Sequence, residues 1–460
     1  VSGLRVLITN VTLASRSGTE VYVRDLAAGL LAAGHAPLVY STDLGELAGE
    51  IGRATVPVVD DLAALSRPPD VIHGHHAPET LTALLHFPGV PAVAVCHDWD
   101  AWHDTPLLFP RVRRYVAVDE TCRDRLLDRH GLPPGRVEVR LNAVDLDLFP
   151  PRAPLPPLPG RAAAFASPGL PGDHLPAVRA ACARDGLPLD EIGGADGPTH
   201  ARPGELLGRY DLVFAKARCA LEALAVGAAV VLCGGQGLGG LVTAERFDGL
   251  RRRNFGRRTL REPLRAETVL REMGRYDPAD AAAVSRRVRA EAGLTAAVAD
   301  WVALYRAVIA EAQAEPADPA AEARAAAAAL RDLTPFYRPL RELRRRAGHF
   351  EQAANALRAE HDSFAHTAEG LLAERDWLTG QNQALLADRD YLAGERESLR
   401  AERDWLAGQN QTLLAERDWL AGQNQALLAE RDWLADQNRG LREECDWLRG
   451  GPPDRTRPAA

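Results

Sequence analysis

From Phe350 to Leu448 an apolar residue returns every seven positions, fifteen times in register, and nothing else in the chain restricts its fold as much. The series is Phe350, Leu357, Phe364, Leu371, Leu378, Leu385, Leu392, Leu399, Leu406, Leu413, Leu420, Leu427, Leu434, Leu441 and Leu448. A strand alternates with period two, so a repeat of seven held this long predicts a left-handed coiled coil. About 99 residues at 1.5 Å rise would extend roughly 150 Å. With the leucines at position d, position a from Arg375 to Asn438 holds only Arg and Asn. Asn at a costs stability but fixes register and favours small oligomers. A 14-residue unit, Ala401-ERDWLAGQNQTLL, returns from Ala415 and again from Ala429. Gly380, Gly394, Gly408 and Gly422 each weaken the helix by about 1 kcal/mol. The tail therefore reads as a homo-oligomerisation rod with no chemistry of its own.

The full length of 460 residues, rod included, leaves room for two or three domains. A formal net charge of −8 provides no global basic field, which argues against a nucleic-acid partner. Six scattered cysteines lack metal or CxxC spacing and read as reduced thiols. The chain opens on Leu4–Thr9, an expected strand rather than a signal peptide, and no apolar run has the length of a transmembrane segment. The expected location is cytoplasmic, or peripheral to the inner membrane.

Residues 1–149 alternate strand-like runs (Val6–Thr9, Leu38–Tyr40, Val71–His73, Ala92–Val95, Tyr115–Val118, Val137–Leu141) with amphipathic helical patterns such as Glu20–Ala33, Pro78–His86 and Glu120–Arg129. That alternation predicts a doubly wound parallel sheet. Residues 150–160 hold six prolines within PPRAPLPPLP, an expected stiff linker. A second, shorter α/β domain is expected over 161–293. Next comes a closing helix over 294–312, whose Val298, Trp301, Leu304, Tyr305 and Val308 share one face. A linker and Ala-rich helix cover 313–340, the coiled coil 341–449, and a disordered tail 450–460. The fold class is α/β: two Rossmann-like doubly wound parallel-sheet domains followed by a long α-helical coiled coil.

The only lysine, Lys216, lies between a strand (Leu212–Ala215) and a helix carrying Arg218 and Glu222. The strand Ala228–Leu232 and a glycine-rich turn, Gly234–Gly240, follow. That unit puts cations and a carboxylate at the carboxyl edge of a parallel sheet, where nucleotides usually bind. A compact ammonium retained in an otherwise arginine-only chain suggests a job that a guanidinium fork does not serve. Ser17-Gly18-Thr19-Glu20 supplies helix N-terminal amides suited to an anion or a sugar hydroxyl. Asp70-VIHGH-His76 ends a strand with three histidines, expected in a loop facing a cleft and not as metal ligands. His97, in Cys96-His-Asp-Trp99, stands beside a carboxylate and could orient a hydroxyl.

In this order SGTE, DVIHGHH, VCHDW and Tyr115–Phe149 resemble the amino-terminal half of a GT-B glycosyltransferase. More narrowly, they resemble the retaining nucleotide-sugar family that includes sucrose and mannosyl transferases (glycosyltransferase family 4-like). Asn142 and Asp145 match a family turn, and ALEALAVGAAVVLCGG is similar to its donor-site helix and strand. The resemblance implies a nucleotide-diphospho-sugar donor held by the second domain and a glycan, lipid or protein acceptor held by the first. It also implies a retaining transfer with no metal or other cofactor. Glu222 then matches the carboxylate on the donor ribose, Gly18 and Thr19 the phosphate-facing loop, and His97 the histidine near the transferred sugar. Lys216 and Arg218 stand where cations could hold the diphosphate and stabilise its leaving charge. Two departures stand out. Phe214 occupies the place of an acidic residue, and Phe165-ASPGLPGDHLPAVRAA lacks the family's early Arg/Lys pair. The alternative they raise is a catalytically degenerate GT-B-like domain on a coiled-coil scaffold, acting as an interaction protein.

Overall fold

The computed structural model describes residues 3–166, 174–193, 203–368 and 375–450. In β1 (Arg5–Thr9) every residue after Arg5 is buried, as expected of a parallel strand covered on both faces. The chain continues through α1 (Gly18–Ala32), β2 (Ala36–Tyr40), α2 (Glu46–Arg53), β3 (Val58–Val59), β4 (Val71–His75) and α3 (Ala77–His86). Then come β5 (Ala92–Cys96), β6 (Val112–Ala117), α4 (Glu120–Asp124) and β7 (Val137–Val139). These strands form one parallel sheet in the order β3-β2-β1-β4-β5-β6-β7. The order reverses between β1 and β4, so the loops that follow them diverge and leave a crevice.

The second sheet is built from β8 (Ala162–Ala166), α5 (Leu175–Asp185), β9 (Leu189–Gly193), α6 (Pro203–Leu207), β10 (Leu212–Ala215) and α7 (Ala217–Val226). It is completed by β11 (Ala229–Gly234) and β12 (Gly237–Leu241), with α8 (Phe247–Arg251), α9 (Ala266–Met273) and α10 (Pro278–Glu291) around it. The strand order is β12-β11-β10-β8-β9, and its switch point lies between β8 and β10, directly before Lys216. The segment Gly234–Gly240 is not the simple turn expected: it makes a hairpin, with β12 antiparallel to β11. Its glycines serve close approach. A Cβ on Gly239 would stand 2.8 Å from Leu232 Cβ, and Gly237 and Gly240 have φ of +146° and +76°.

The proline-rich stretch is strapped to the second sheet rather than spanning a gap. The Arg152 amide donates to the Val226 carbonyl, its guanidinium pairs with Asp211 at 2.6 Å, and the Tyr276 hydroxyl donates to the Pro156 carbonyl. The chain crosses between the sheets twice, side by side: Val144 N–H donates to Ala292 O at 2.9 Å, and Leu294 N–H donates to Val144 O at 3.0 Å. Helix α11 (Leu294–Ala314) then returns to α1 and to β4, β5 and β6. It buries the predicted face of Val298, Trp301, Leu304, Tyr305 and Val308. Each such side chain contributes about 1.5–3 kcal/mol on burial.

Both sheets belong to one compact unit, and residues 323–420 form a second. The tail is helical: α12 (Pro319–Ala368) runs on through Pro335 and Pro339, and α13 (Arg375–Gly450) follows. Leu371 of the heptad series and the tail from 451 onward lie outside the described residues, as do residues 167–173 of the Phe165–Ala181 stretch. Among the described residues no helix is long and apolar enough to cross a membrane.

Candidate active site

Strand alternation puts His73 and His75 of β4 on one face, towards α1 and α11. His73 Nδ1 is 2.6 Å from the Tyr305 hydroxyl, and His75 Nδ1 is 2.6 Å from His97 Nε2. Tyr22 of α1 meets the His97 ring edge-on at 5.0 Å and the His75 ring at 5.4 Å. His73 and His75 are therefore not loop residues: both sit in the strand and are fully buried. His76 caps α3 with φ +64°, a conformation that costs a non-glycine residue about 1–3 kcal/mol. Its Nδ1 accepts from the Val11 amide at 3.1 Å, so the neutral ring carries its proton on Nε2. Burial holds His73 and His75 well below the ordinary histidine range, and takes His97 to about 3 and His76 to about 2. In the neutral His75–His97 pair one ring must donate and the other accept, so the two tautomers are coupled.

The loop that carries His97 is held from below. After α4 the helix widens into one π-turn, Arg125–Arg129, a form often found at functional sites. The buried Arg125 donates to the Asp98 carbonyl at 2.6 Å and to the Ala101 carbonyl at 2.8 Å. A guanidinium spanning two carbonyls fixes the path of the chain directly after β5.

On the second sheet, Lys216 is the residue that precedes α7. Its half-buried ammonium donates to Gln236 Oε1 at 3.2 Å, and its stem covers Gly234, where a Cβ would stand 2.9 Å from Lys216 Cδ. Burial draws its pKa below the lysine value. Arg218 is buried: its Nε donates to Glu222 Oε1 at 2.8 Å, and a terminal nitrogen pairs with Asp25 of α1. Arg24 pairs with Asp25 at 2.6 Å and with Glu50 at 3.3 Å, and Arg16 pairs with Glu50. Alternating charges thus run from the first domain into the second. Burial opposes the Arg218 charge, but the two carboxylates outweigh it and raise its pKa. Glu222 is raised too, mainly by burial.

Gly18, Arg218 and Glu222 line one cavity of about 70 Å³, together with Arg16, Arg24, Phe165 and Cys219. Lys216, His97 and Thr19 are not on that lining, and the Thr19 hydroxyl donates to Glu20 at 3.1 Å. Val21 N–H to Ser17 O is the first helical bond of α1, which leaves the Gly18 and Thr19 amides without intrahelical partners. Phe214 is fully buried within β10, so the position that would carry an acid belongs to the core. Sequence reasoning missed Tyr22, Asp25, His75 as a partner of His97, and Arg125. Asp25 is an ordinary polar residue in a helical pattern until α7 is laid against it. The buried π-turn arginine left no periodic signal.

Two doubly wound sheets joined by a paired crossing, with the cavity at their switch points, define the GT-B fold. A glycosyltransferase from Rickettsia africae matches with a TM-score of 0.50 at 14% identity, over 66% of this chain and 99% of its own. HepE of Anabaena, solved with UDP and glucose, matches with a TM-score of 0.47 at 14% identity, over 65% of this chain and 99% of its own. Residues 16–148 match the family model of Glycosyltransferase Family 4 and form a family 4-like region. No curated protein matches the chain in sequence.

Proposed function

We propose that the chain is a glycosyltransferase that moves a sugar from a nucleotide-diphospho-sugar to a glycan, lipid or protein acceptor, with retention and without a metal, and that it self-assembles through its helical tail. The observation that carries this reading is the shared cavity. Helix amides at Gly18, a guanidinium at Arg218 and a carboxylate at Glu222 meet where both sheets switch direction. In this reading Glu222 takes the donor ribose, the Gly18 and Thr19 amides and the Arg218 guanidinium face the diphosphate, and Lys216 adds charge from the adjacent flank. His97 stands by the transferred sugar, its tautomer set by His75.

Pockets for ligands of this size run to about 300 Å³ or more. A cavity of about 70 Å³ must therefore widen to admit the donor. Arg218 already lines the cavity, and its five donors allow a charge-assisted bond to a phosphate beside those to Asp25 and Glu222. Electrostatic stabilisation of the departing diphosphate is the main catalytic contribution these residues can make.

Calorimetry with UDP, GDP and ADP is the test. One of the three should bind the wild-type protein, and Lys216→Ala should remove that binding without changing the melting temperature by more than a few degrees. If none of the three binds, the transferase reading is lost. Anomeric analysis of the product and activity measured in a chelator decide retention and metal independence.

A further inference from the structure

Along α13 the leucine register is open to solvent: Leu420, Leu427, Leu434 and Leu441 are 47–58% exposed. The opposite side of the same helix is occupied. Gly422 is buried, with a Cβ there 3.5 Å from His130 Cε1, and a Cβ on Gly131 would stand 3.5 Å from Ala429 Cβ. Those two small residues are seven apart, at position f. Contact with the first domain therefore leaves the leucine register facing outward.

The polar positions beside the leucines select what covers them. Position a holds Arg417, Asn424, Arg431, Asn438 and then Cys445, while position g holds Glu416, Gln423, Glu430, Gln437 and Glu444 and is never basic. In a parallel in-register pair, a meets a and is flanked by the partner's g. Asn424 and Asn438 then meet their own copies and can hydrogen-bond. Arg431 reaches Glu430 of the partner subunit, exchanging the exposed contact it makes with its neighbour Asp432 at 2.5 Å. An antiparallel pair would set these polar residues against leucines and bring g against g, acid facing acid or amide. A third strand would enclose the arginines of position a more deeply.

We infer that residues 419–445 pair with a second copy of this chain as a parallel, in-register, two-stranded coil. This rests on the self-assembly reading above and adds its stoichiometry and direction. Cys445 offers a probe, because it is exposed at position a while the other five cysteines are buried. Light scattering of the full chain should give twice the monomer mass. Oxidation with diamide, which takes one hydrogen from each of two thiols, should then join Cys445 to its copy, since a disulfide needs Cα atoms about 4.4–6.8 Å apart. Cys445→Ser should abolish the cross-link and leave the mass at two. Asn424→Cys in the Cys445→Ser background should restore the cross-link, and an antiparallel pair can bring at most one of these two levels against itself. A dimer that cross-links at neither or only one level overturns the direction while self-assembly stands. A trimer mass overturns the strand number, and a monomer mass removes the inference and the self-assembly reading together.

Discussion

Lys216 and Arg218 are two residues apart, carry the same charge and should behave oppositely when removed. Arg218 is buried between two carboxylates, so Arg218→Met leaves buried Glu222 without its ion-pair partner and Asp25 with Arg24 alone. Losing one partner of such a buried pair costs about 3–5 kcal/mol, which chemical denaturation will read directly. Lys216 has one amide partner and partial exposure, so Lys216→Ala should cost less than about 1 kcal/mol by the same measurement. The histidines make a prediction about pH. His97 and His76 titrate near 3 and 2 in the folded chain, against about 6.5 unfolded. Their contribution is whole above pH 6.5 and is lost as pH falls, because the unfolded chain takes up the protons first. Each costs up to about 1.4 kcal/mol per pH unit below that point. Asp104 runs the other way: burial lifts it to about 7, so the folded chain gains from its proton on acidification. Burial also raises Glu20, Glu79, Asp119 and Glu222, but seven depressed histidines among the described residues outnumber these five carboxyls, so melting temperature should fall from pH 6.5 to pH 5. His97→Gln should make that fall shallower. A flat profile would mean these rings are not buried neutral.

At the scale of elements, the strands that pack on both faces were legible in the chain and the marginal ones were not. β1 and β5 announce themselves as apolar runs, and β4 by Val71 and Ile72 ahead of its histidines. β3 has two residues at a sheet edge and carries no period at all. The β11–β12 hairpin was hidden because its second strand, Gly237–Leu241, is mostly glycine, and composition alone reads as a turn. The site was legible to the same extent. Residues next to strand ends were found, since topology places them. Partners such as Asp25 and Tyr22, brought in by packing between distant helices, were not. One glycine of β4 tests that packing. Gly74 lies under Thr80 of α3, and a Cβ there would stand 2.5 Å from Thr80 Cγ2. Gly74→Ala must push α3 outward, an overpacking cost of about 1–3 kcal/mol that thermal unfolding will resolve. Gly18→Ala meets nothing within 4 Å and should leave stability within about 1 kcal/mol.

For the whole molecule, folding of the sheets and assembly through the tail should be separable in experiment. Truncation after residue 330 keeps both sheets and α11, so the fragment should melt cooperatively and scatter as a monomer. If it retains the oligomeric mass of the full chain, the tail is not the assembly element. The two chain crossings at Val144 and Gly293 bear on what the sheets can do relative to each other. Segments tied side by side by two hydrogen bonds resist being pulled apart or twisted far more than being folded along their length. Relative movement is then a swing about one line, like a door on adjacent pins. Every residue of the second sheet travels an arc whose length grows with its distance from that line. Fluorophore pairs set progressively farther from that line should report proportionally larger shifts when a nucleotide enters.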